Sequence, residues 1–408
     1  LLSLPIFLAH WDLATYGQWL ILSALPSYLA MSDVGMVTAA GNRMTMLAGD
    51  GDQGAANRVF QSALAFVLGV CGIAMFVVLA ASALWSFGGA GSTQAAGAIT
   101  LLSLGVVVGL VGGLPEAVYK ATQRYPLGAA LANTTRLLEW LGSLVGLWWF
   151  GDFIAVAAGA LIPRVLCTGA MAWHAARSTP GFRWGFSQAS VAEIRQCAAP
   201  ALSFMVFPAA NALNFQGMTL MAAALFGPAA TVVFNTYRTL ARVTVQATAT
   251  FSHALWPEFS RLFGRGDRAT LTALFRRSHW LGLALAAGAS IAVYLAAPVV
   301  LALWSKGQIE FSATLMWAAM VYAAAAGGWH VSRVLLLSTN EHAALAWPYL
   351  AASAAGLPLA FALGQAFGLV GLMLSMLALE LVAWAYCAHL ARRLLAPVGP
   401  AEPLGVAT

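Results

Sequence analysis

Apolar residues run along this chain in blocks of about twenty or more, separated by short polar stretches. Blocks of that length suit a helix that rises about 1.5 Å per residue across about 30 Å of hydrocarbon. They do not suit the roughly ten-residue alternating strands of a membrane barrel. The pattern predicts a partial span at 1–9. Full spans follow at 16–40, 60–85, 96–120, 126–149, 153–174, 197–224, 231–253, 280–304, 311–336, 343–363 and 369–389. The first run stops near Ala9 and reads as the remainder of a longer first helix, and no cleavable signal peptide is legible. The expected fold is an all-α polytopic membrane protein.

One stretch organises the rest. From Asn235 to His279 an apolar helix carries Arg238 and Arg242 one turn apart, then gives way to a charged loop around Gly264, Gly266 and Asp267. A weaker copy lies 215 residues earlier, where Leu47-Ala48-Gly49-Asp50-Gly51-Asp52 matches Leu262-Phe263-Gly264-Arg265-Gly266-Asp267. Without a gap, Phe60 then matches Phe275. Both copies fall between the second and third span of a half. The chain therefore reads as two six-helix bundles related by a parallel internal repeat. The bundles are 1–176 and 193–396, with a linker at 177–192 and a tail at 397–408.

Composition agrees. Hydrophobic residues make up 61% of the chain and charged residues 8%, and the mean hydropathy is +0.80. A soluble domain carries about 25% charged residues, so a water-facing surface is excluded. The net charge of +6 does not point to nucleic acid, because the basic residues sit in short loops. Counted with adjoining span ends, one side holds Arg43, Arg58, Lys120, Arg124, Arg177, Arg183, Arg195, Arg261, Arg265, Arg268, Arg276, Arg277, Arg333, Arg392 and Arg393. The other side holds Lys306. Positive-inside bias then makes both termini cytoplasmic. Trp11, Trp85, Trp148, Trp149 and Trp304 form the expected outer aromatic belt.

Charges within spans cost about 2.5–3.5 kcal/mol each on insertion scales, so each needs a reason. Arg136, Arg164, Arg238, Arg242 and Glu380 fall near mid-depth, with Glu139 one turn from Arg136. One reading is a water-filled cavity whose arginines hold an anion through forked donors. The other is internal pairing, above all Arg136 with Glu139. Asp33, Glu116 and Lys120 lie nearer the cytoplasmic end and read as a structural or gating cluster. Glu380 is a candidate proton or sodium site, or else pairs with an arginine. Pro26, Pro115, Pro163, Pro200, Pro208, Pro348 and Pro358 predict bends, and Gly109, Gly112 and Gly113 close helix contact.

Other features carry less. Cys71, Cys167, Cys197 and Cys387 lie in apolar runs without metal spacing. Asp50-Gly51-Asp52 has the Asp-x-Asp form of metal-dependent glycosyltransferases, but its repeat partner lacks the first acid. His330 and His342 have no catalytic or metal-binding spacing. No loop is long enough for an active-site domain, so the sequence calls for no enzyme and no cofactor.

Tyr16-Gly17-Gln18-Trp19, Leu25-Pro26-Ser27-Tyr28-Leu29, Ser32-Asp33-Val34-Gly35 and Gly41-Asn42-Arg43 resemble the start of bacterial polysaccharide flippases of the O-antigen type. Asn235-Thr236-Tyr237-Arg238-Thr239-Leu240 and Leu255-Trp256-Pro257-Glu258-Phe259-Ser260 resemble their eighth helix and following loop. These flippases belong to the multidrug/oligosaccharidyl-lipid/polysaccharide exporter (MOP) superfamily. The resemblance implies a V-shaped pair of bundles around a cationic cavity, working by alternating access, often on a proton or sodium gradient. The implied cargo is a lipid-linked oligosaccharide on polyprenyl pyrophosphate. The implied place is the bacterial inner membrane, among membrane lipids and beside the polymerase and chain-length machinery of lipopolysaccharide synthesis. The chain departs in its short first helix. Its twelve spans also differ from the fourteen of peptidoglycan-precursor flippases. Rival readings are a multidrug/cation extruder of the same superfamily and a membrane polymerase or ligase.

Overall fold

The computed structural model describes residues 3–87, 93–339 and 343–396. His342 and the expected tail at 397–408 lie outside the described residues, as do the side chains of Trp85 and Pro200. The described chain is 88% helix with no strand. It forms fourteen α-helices: α1 Ser3–Phe7, α2 Leu13–Ala24, α3 Met36–Gly49, α4 Gln53–Phe87, α5 Thr93–Ala121, α6 Tyr125–Trp149, α7 Phe153–Ser178, α8 Val191–Ala212, α9 Met218–Ala254, α10 Trp256–Gly264, α11 Arg268–Trp304, α12 Ala313–Gly328, α13 His330–Ser338 and α14 Ala343–Leu395. Two compact units result, Leu1–Val232 and Val233–Thr408.

The apolar pattern and the helices agree on an all-α multi-pass membrane protein, and two breaks between expected spans fall on glycines inside long helices. Among the described residues, seven helices are each long and apolar enough to cross a bilayer, and α2 with α3 gives an eighth as a bent pair. Helix α9 contains Gly227 at φ 80°, between the spans expected at 197–224 and 231–253. Helix α14 contains Gly368 at φ 63°, between those expected at 343–363 and 369–389. Left-handed φ suits glycine, which has no Cβ to clash. At Gly368 the chain doubles back, because a Cβ on Gly371 would lie 1.9 Å from the Leu363 carbonyl oxygen. The twelve-span layout is consistent with these breaks.

The second expected span is not one helix. It runs as α2, a 3-10 turn at Pro26–Met31 and α3, with a 42° bend between the two parts. Proline at the start of the turn lacks an N–H for the ladder. Val34 and Gly35 then take positive φ. The tenth span likewise divides at Trp329 into α12 and α13.

The repeat is written in hydrogen bonds. Asp50 N, Gly51 N and Asp52 N donate to the carbonyls of Met46, Ala48 and Leu47. Arg265 N, Gly266 N and Asp267 N donate to those of Arg261, Phe263 and Leu262, the same positions plus 215. Gly51 and Gly266 have φ of 84° and 71°. Asp52 then caps α4 through Ala55 N at 2.8 Å, and Asp267 caps α11 through Thr270 N at 3.0 Å. The Thr270 bond holds the Asp267 carboxyl below the usual carboxylate range. Its stabilising share is full above that range and fades as pH falls through the lowered value. Asp50-Gly51-Asp52 is thus a turn and a helix cap. At the same spacing, Gly112-Gly113 of α5 matches Gly327-Gly328 of α12, and all four meet neighbouring side chains closely.

Small residues set the helix packing. A Cβ on Gly142 of α6 would lie 2.0 Å from the Gly159 carbonyl oxygen of α7, and one on Gly159 would lie 2.2 Å from that of Gly142. On α5, Gly109 faces Arg164, Gly112 faces Thr168 and Gly113 faces Val37, which is the close contact expected of them. The stretch after α7 folds back onto α4: Gln61 donates to the Arg183 carbonyl, Ser190 N donates to Ser62, and Phe182 and Trp184 pack edge-on against Phe60. Trp148 and Trp149 are exposed, as an aromatic belt requires. Trp11 lies at the same end of the helices as Trp149 but does not face outward. It is buried among Phe7, Trp19 and Phe153 and donates its indole N–H to Gly151 O. Amphipathic indoles bury where a carbonyl accepts their N–H. The four cysteines are free thiols.

Gly142→Leu forces α6 and α7 apart and should cost about 1–3 kcal/mol, read as a lower thermal midpoint in detergent. Gly169→Leu on α7, where no atom lies within 4 Å of the added Cβ, should leave the midpoint in place. Equal midpoints for the two variants would contradict this packing.

Candidate functional site

In the first unit, α5, α6 and α7 surround a cavity of about 140 Å³ lined by Glu116, Thr135, Arg136, Glu139, Arg164 and Thr168 with Gly109, Gly112 and Gly113. Its centre is a bidentate ion pair. Arg164 Nε donates to Glu139 Oε1 at 2.6 Å and Nη2 to Oε2 at 2.7 Å. Arg164 Nη1 donates to the Gly105 carbonyl at 2.7 Å. One guanidinium thus ties three helices. Glycine makes this possible, because a Cβ at Gly109 would stand 3.2 Å from Arg164 Nη1.

The expected pairing of Arg136 with Glu139 is overturned. Both oxygens of Glu139 are taken by Arg164, and Arg136 donates to Asn133 Oδ1 at 3.3 Å on its own helix. An arginine reaching across from α7 presents two parallel N–H groups to the carboxylate plane. Arg136 keeps further N–H donors on the cavity wall, since guanidinium has five.

Asp33, Glu116 and Lys120 do not form one ion-paired cluster. Asp33 accepts from Gly35 N and Val37 N, both at 3.2 Å, and so holds the start of α3. It also lines a second cavity of about 270 Å³ that shares Gly109 and Gly113 with the first. Lys120 Nζ donates to Asn42 Oδ1 at 2.7 Å. Glu116 lines the first cavity. Arg43 reaches Glu193 at 2.9 Å, fixing the start of α8 to α3.

In the second unit, Arg238 and Arg242 share one face of α9. Arg238 is only 8% exposed. It donates to Asn235 Oδ1, and its guanidinium carbon lies 5.3 Å from the Phe234 ring centre. Arg242 is exposed. Glu380 is buried and accepts from Trp329 Nε1 at 2.8 Å. An indole therefore meets Glu380 where an arginine partner was one expectation. The Arg333 guanidinium carbon lies 5.7 Å from the same indole. Buried Tyr349 packs beside Trp329 at 6.1 Å. His330 Nδ1 meets the Ala326 carbonyl at 2.8 Å, and no metal-binding group of three side chains exists among the described residues.

Sequence reasoning missed Trp329, Thr135, Thr168 and the Gly105 carbonyl. The spacing of Gly105, Gly109 and Gly112 was the available signal, since i, i+4 and i+7 share a helix face. Nothing in the sequence announced Trp329.

Glu139→Gln should leave Arg164 without its counter-charge and lower stability by about 1–3 kcal/mol, read as a fall in thermal midpoint. The double variant Glu139→Leu/Arg164→Leu should recover part of that loss. A single variant with an unchanged midpoint would contradict the role given to this pair.

No protein-family model matches the chain, and no curated protein matches it. Solved structures do. An inward-facing multidrug resistance MATE family transporter of the MOP superfamily superposes with a TM-score of 0.80 at 12% identity, over 97% of this chain and 93% of its own. A MOP superfamily transporter from Pyrococcus furiosus, described as having a binding pocket of reversed polarity that suggests a different function, gives 0.62 at 13% over 97% and 94%. The Vibrio cholerae MATE transporter VcmN in its bent form gives 0.58 at 15% over 97% and 95%. At these identities the likeness shows the fold, and the chain folds like the MATE transporters of the MOP superfamily.

Proposed function

We propose that this protein is a transporter that flips a lipid-linked oligosaccharide of the polyprenyl-pyrophosphate type across the bacterial inner membrane for polysaccharide biosynthesis. The fold supports a membrane transporter. The cargo reading rests on one observation, the way the intramembrane charges are used. Glu139 is neutralised by Arg164, and Glu380 is held by an indole. Arg136 lines a cavity, while Arg238 and Arg242 share a helix face at mid-depth. The surplus is cationic. Guanidinium suits a pyrophosphate, which accepts its forked donors.

In this reading Arg238, Arg242 and Arg136 contact the pyrophosphate and adjoining sugars. Arg164 positions α5, α6 and α7 rather than touching cargo. Glu380 is the candidate coupling site for a proton or sodium, with Glu139, Glu116, Asp33 and Lys120 as structural or gating groups. Both termini face the cytoplasm, as the loop charges favour, and polymerase and chain-length proteins are the expected neighbours. The multidrug relatives favour a second reading, export of organic cations. That cargo calls for acids to predominate at mid-depth, whereas arginines outnumber them there and Glu139 and Glu380 already have partners.

The test is complementation of a bacterial strain lacking its own flippase. The full-length protein should restore surface polysaccharide. Arg238→Ala/Arg242→Ala should cut it at least tenfold at equal membrane abundance. Neither form should raise resistance to cationic dyes. Full export by the double variant, or dye resistance without export, would overturn the proposal.

A further inference from the structure

The second unit carries an apolar groove of about 310 Å³ between α11 and α12, with no charged residue in its lining. Its walls include Ile291 and Tyr294 of α11 and Trp317, Met320 and Ala324 of α12. Ile291 is 61% exposed and Trp317 59%. Both stand on apolar spans, and an exposed apolar face on such a span suits hydrocarbon. There the surrounding medium is hydrocarbon, and a groove of this kind is filled by a chain that packs its walls.

The loop joining the two helices reaches the groove through Phe311. It is rigidly held. Ser305 Oγ accepts from Ile309 N at 3.1 Å. The Tyr237 hydroxyl donates to the Glu310 carbonyl at 3.1 Å and accepts from Ser312 N at 2.7 Å. Phe311 packs edge-on against Tyr294, a groove wall, at 6.3 Å. This fixed loop exposes one cation, Lys306, and one anion, Glu310. Lys306 takes a positive φ of 53°, an uncommon conformation for a side chain other than glycine. Tyr294 lies ten residues before Trp304, about 15 Å at helical rise. That matches the distance from a lipid headgroup into the core of its leaflet.

We propose that the α11–α12 groove is a binding site for one membrane phospholipid with a zwitterionic phosphoethanolamine headgroup. An acyl chain lies against Tyr294, Trp317 and Met320. Lys306 meets the phosphate and Glu310 the ammonium. A purely anionic headgroup would gain Lys306 but meet repulsion from Glu310, so the pair selects for a headgroup carrying both signs. The proposal stands apart from the cargo reading and survives its failure.

Native mass spectrometry of the purified full chain tests it, after equilibration with phosphatidylethanolamine or phosphatidylglycerol. The unaltered protein should retain one phosphatidylethanolamine at least fivefold more often than one phosphatidylglycerol. Ala324→Phe, which fills the groove, should reduce that retention at least fivefold. Glu310→Lys, at an exposed loop position where folding is not at stake, should turn the preference towards phosphatidylglycerol. Equal retention of the two lipids by the unaltered protein would overturn the proposal. So would an unchanged preference in the Glu310→Lys protein.

Discussion

Within hydrocarbon, a polar group has no partner except another part of the chain. That constraint governs the first unit most visibly at Arg164. A guanidinium is costly within an apolar span, and this one is tolerable because Glu139 and the Gly105 carbonyl take three of its donors. The arrangement then dictates sequence elsewhere. Gly109 must be small so that the side chain fits beside α5, and Gly142 and Gly159 must be small so that α6 and α7 approach. The same requirement appears at several helix starts. Asp33 caps α3 after the bend, Asp152 caps α7 and Ser312 caps α12.

Much of this was legible in the order of residues. The spans followed from apolar run length, because a helix must cross a slab of fixed thickness. The repeat was legible in six residues, and the structure gives both copies the same turn with a capping aspartate and a left-handed glycine. Gly227 and Gly368 separate spans where the apolar pattern already called for two. The break of the second span was less visible. Pro26 signalled a bend, but only the left-handed backbone at Val34 and Gly35 shows how the chain leaves the helix.

Tertiary partners were not legible, for a physical reason. Sequence spacing gives neighbours along one helix, so Arg136 stood out as the partner of Glu139. Partners across helices depend on rotation and depth, which the linear order does not encode. Glu139 therefore pairs with Arg164, 25 residues on. Glu380 is held by Trp329, 51 residues back, and Trp11 is buried where Trp148 and Trp149 are exposed. These pairings sharpen the functional reading. In the proposed reading Glu139 and Glu380 have partners other than the cargo, and Arg136, Arg238 and Arg242 are its cationic set.

Transbilayer movement in proteoliposomes addresses that reading most directly. Vesicles holding the full-length protein and a polyprenyl-pyrophosphate-linked oligosaccharide would be probed from outside with a lectin. The lectin-accessible fraction should change with time only when protein is present. Arg238→Ala/Arg242→Ala should return it to the protein-free course. Accessibility that follows the protein-free course with the unaltered protein, or full movement by the double variant, would contradict a cationic path for this cargo.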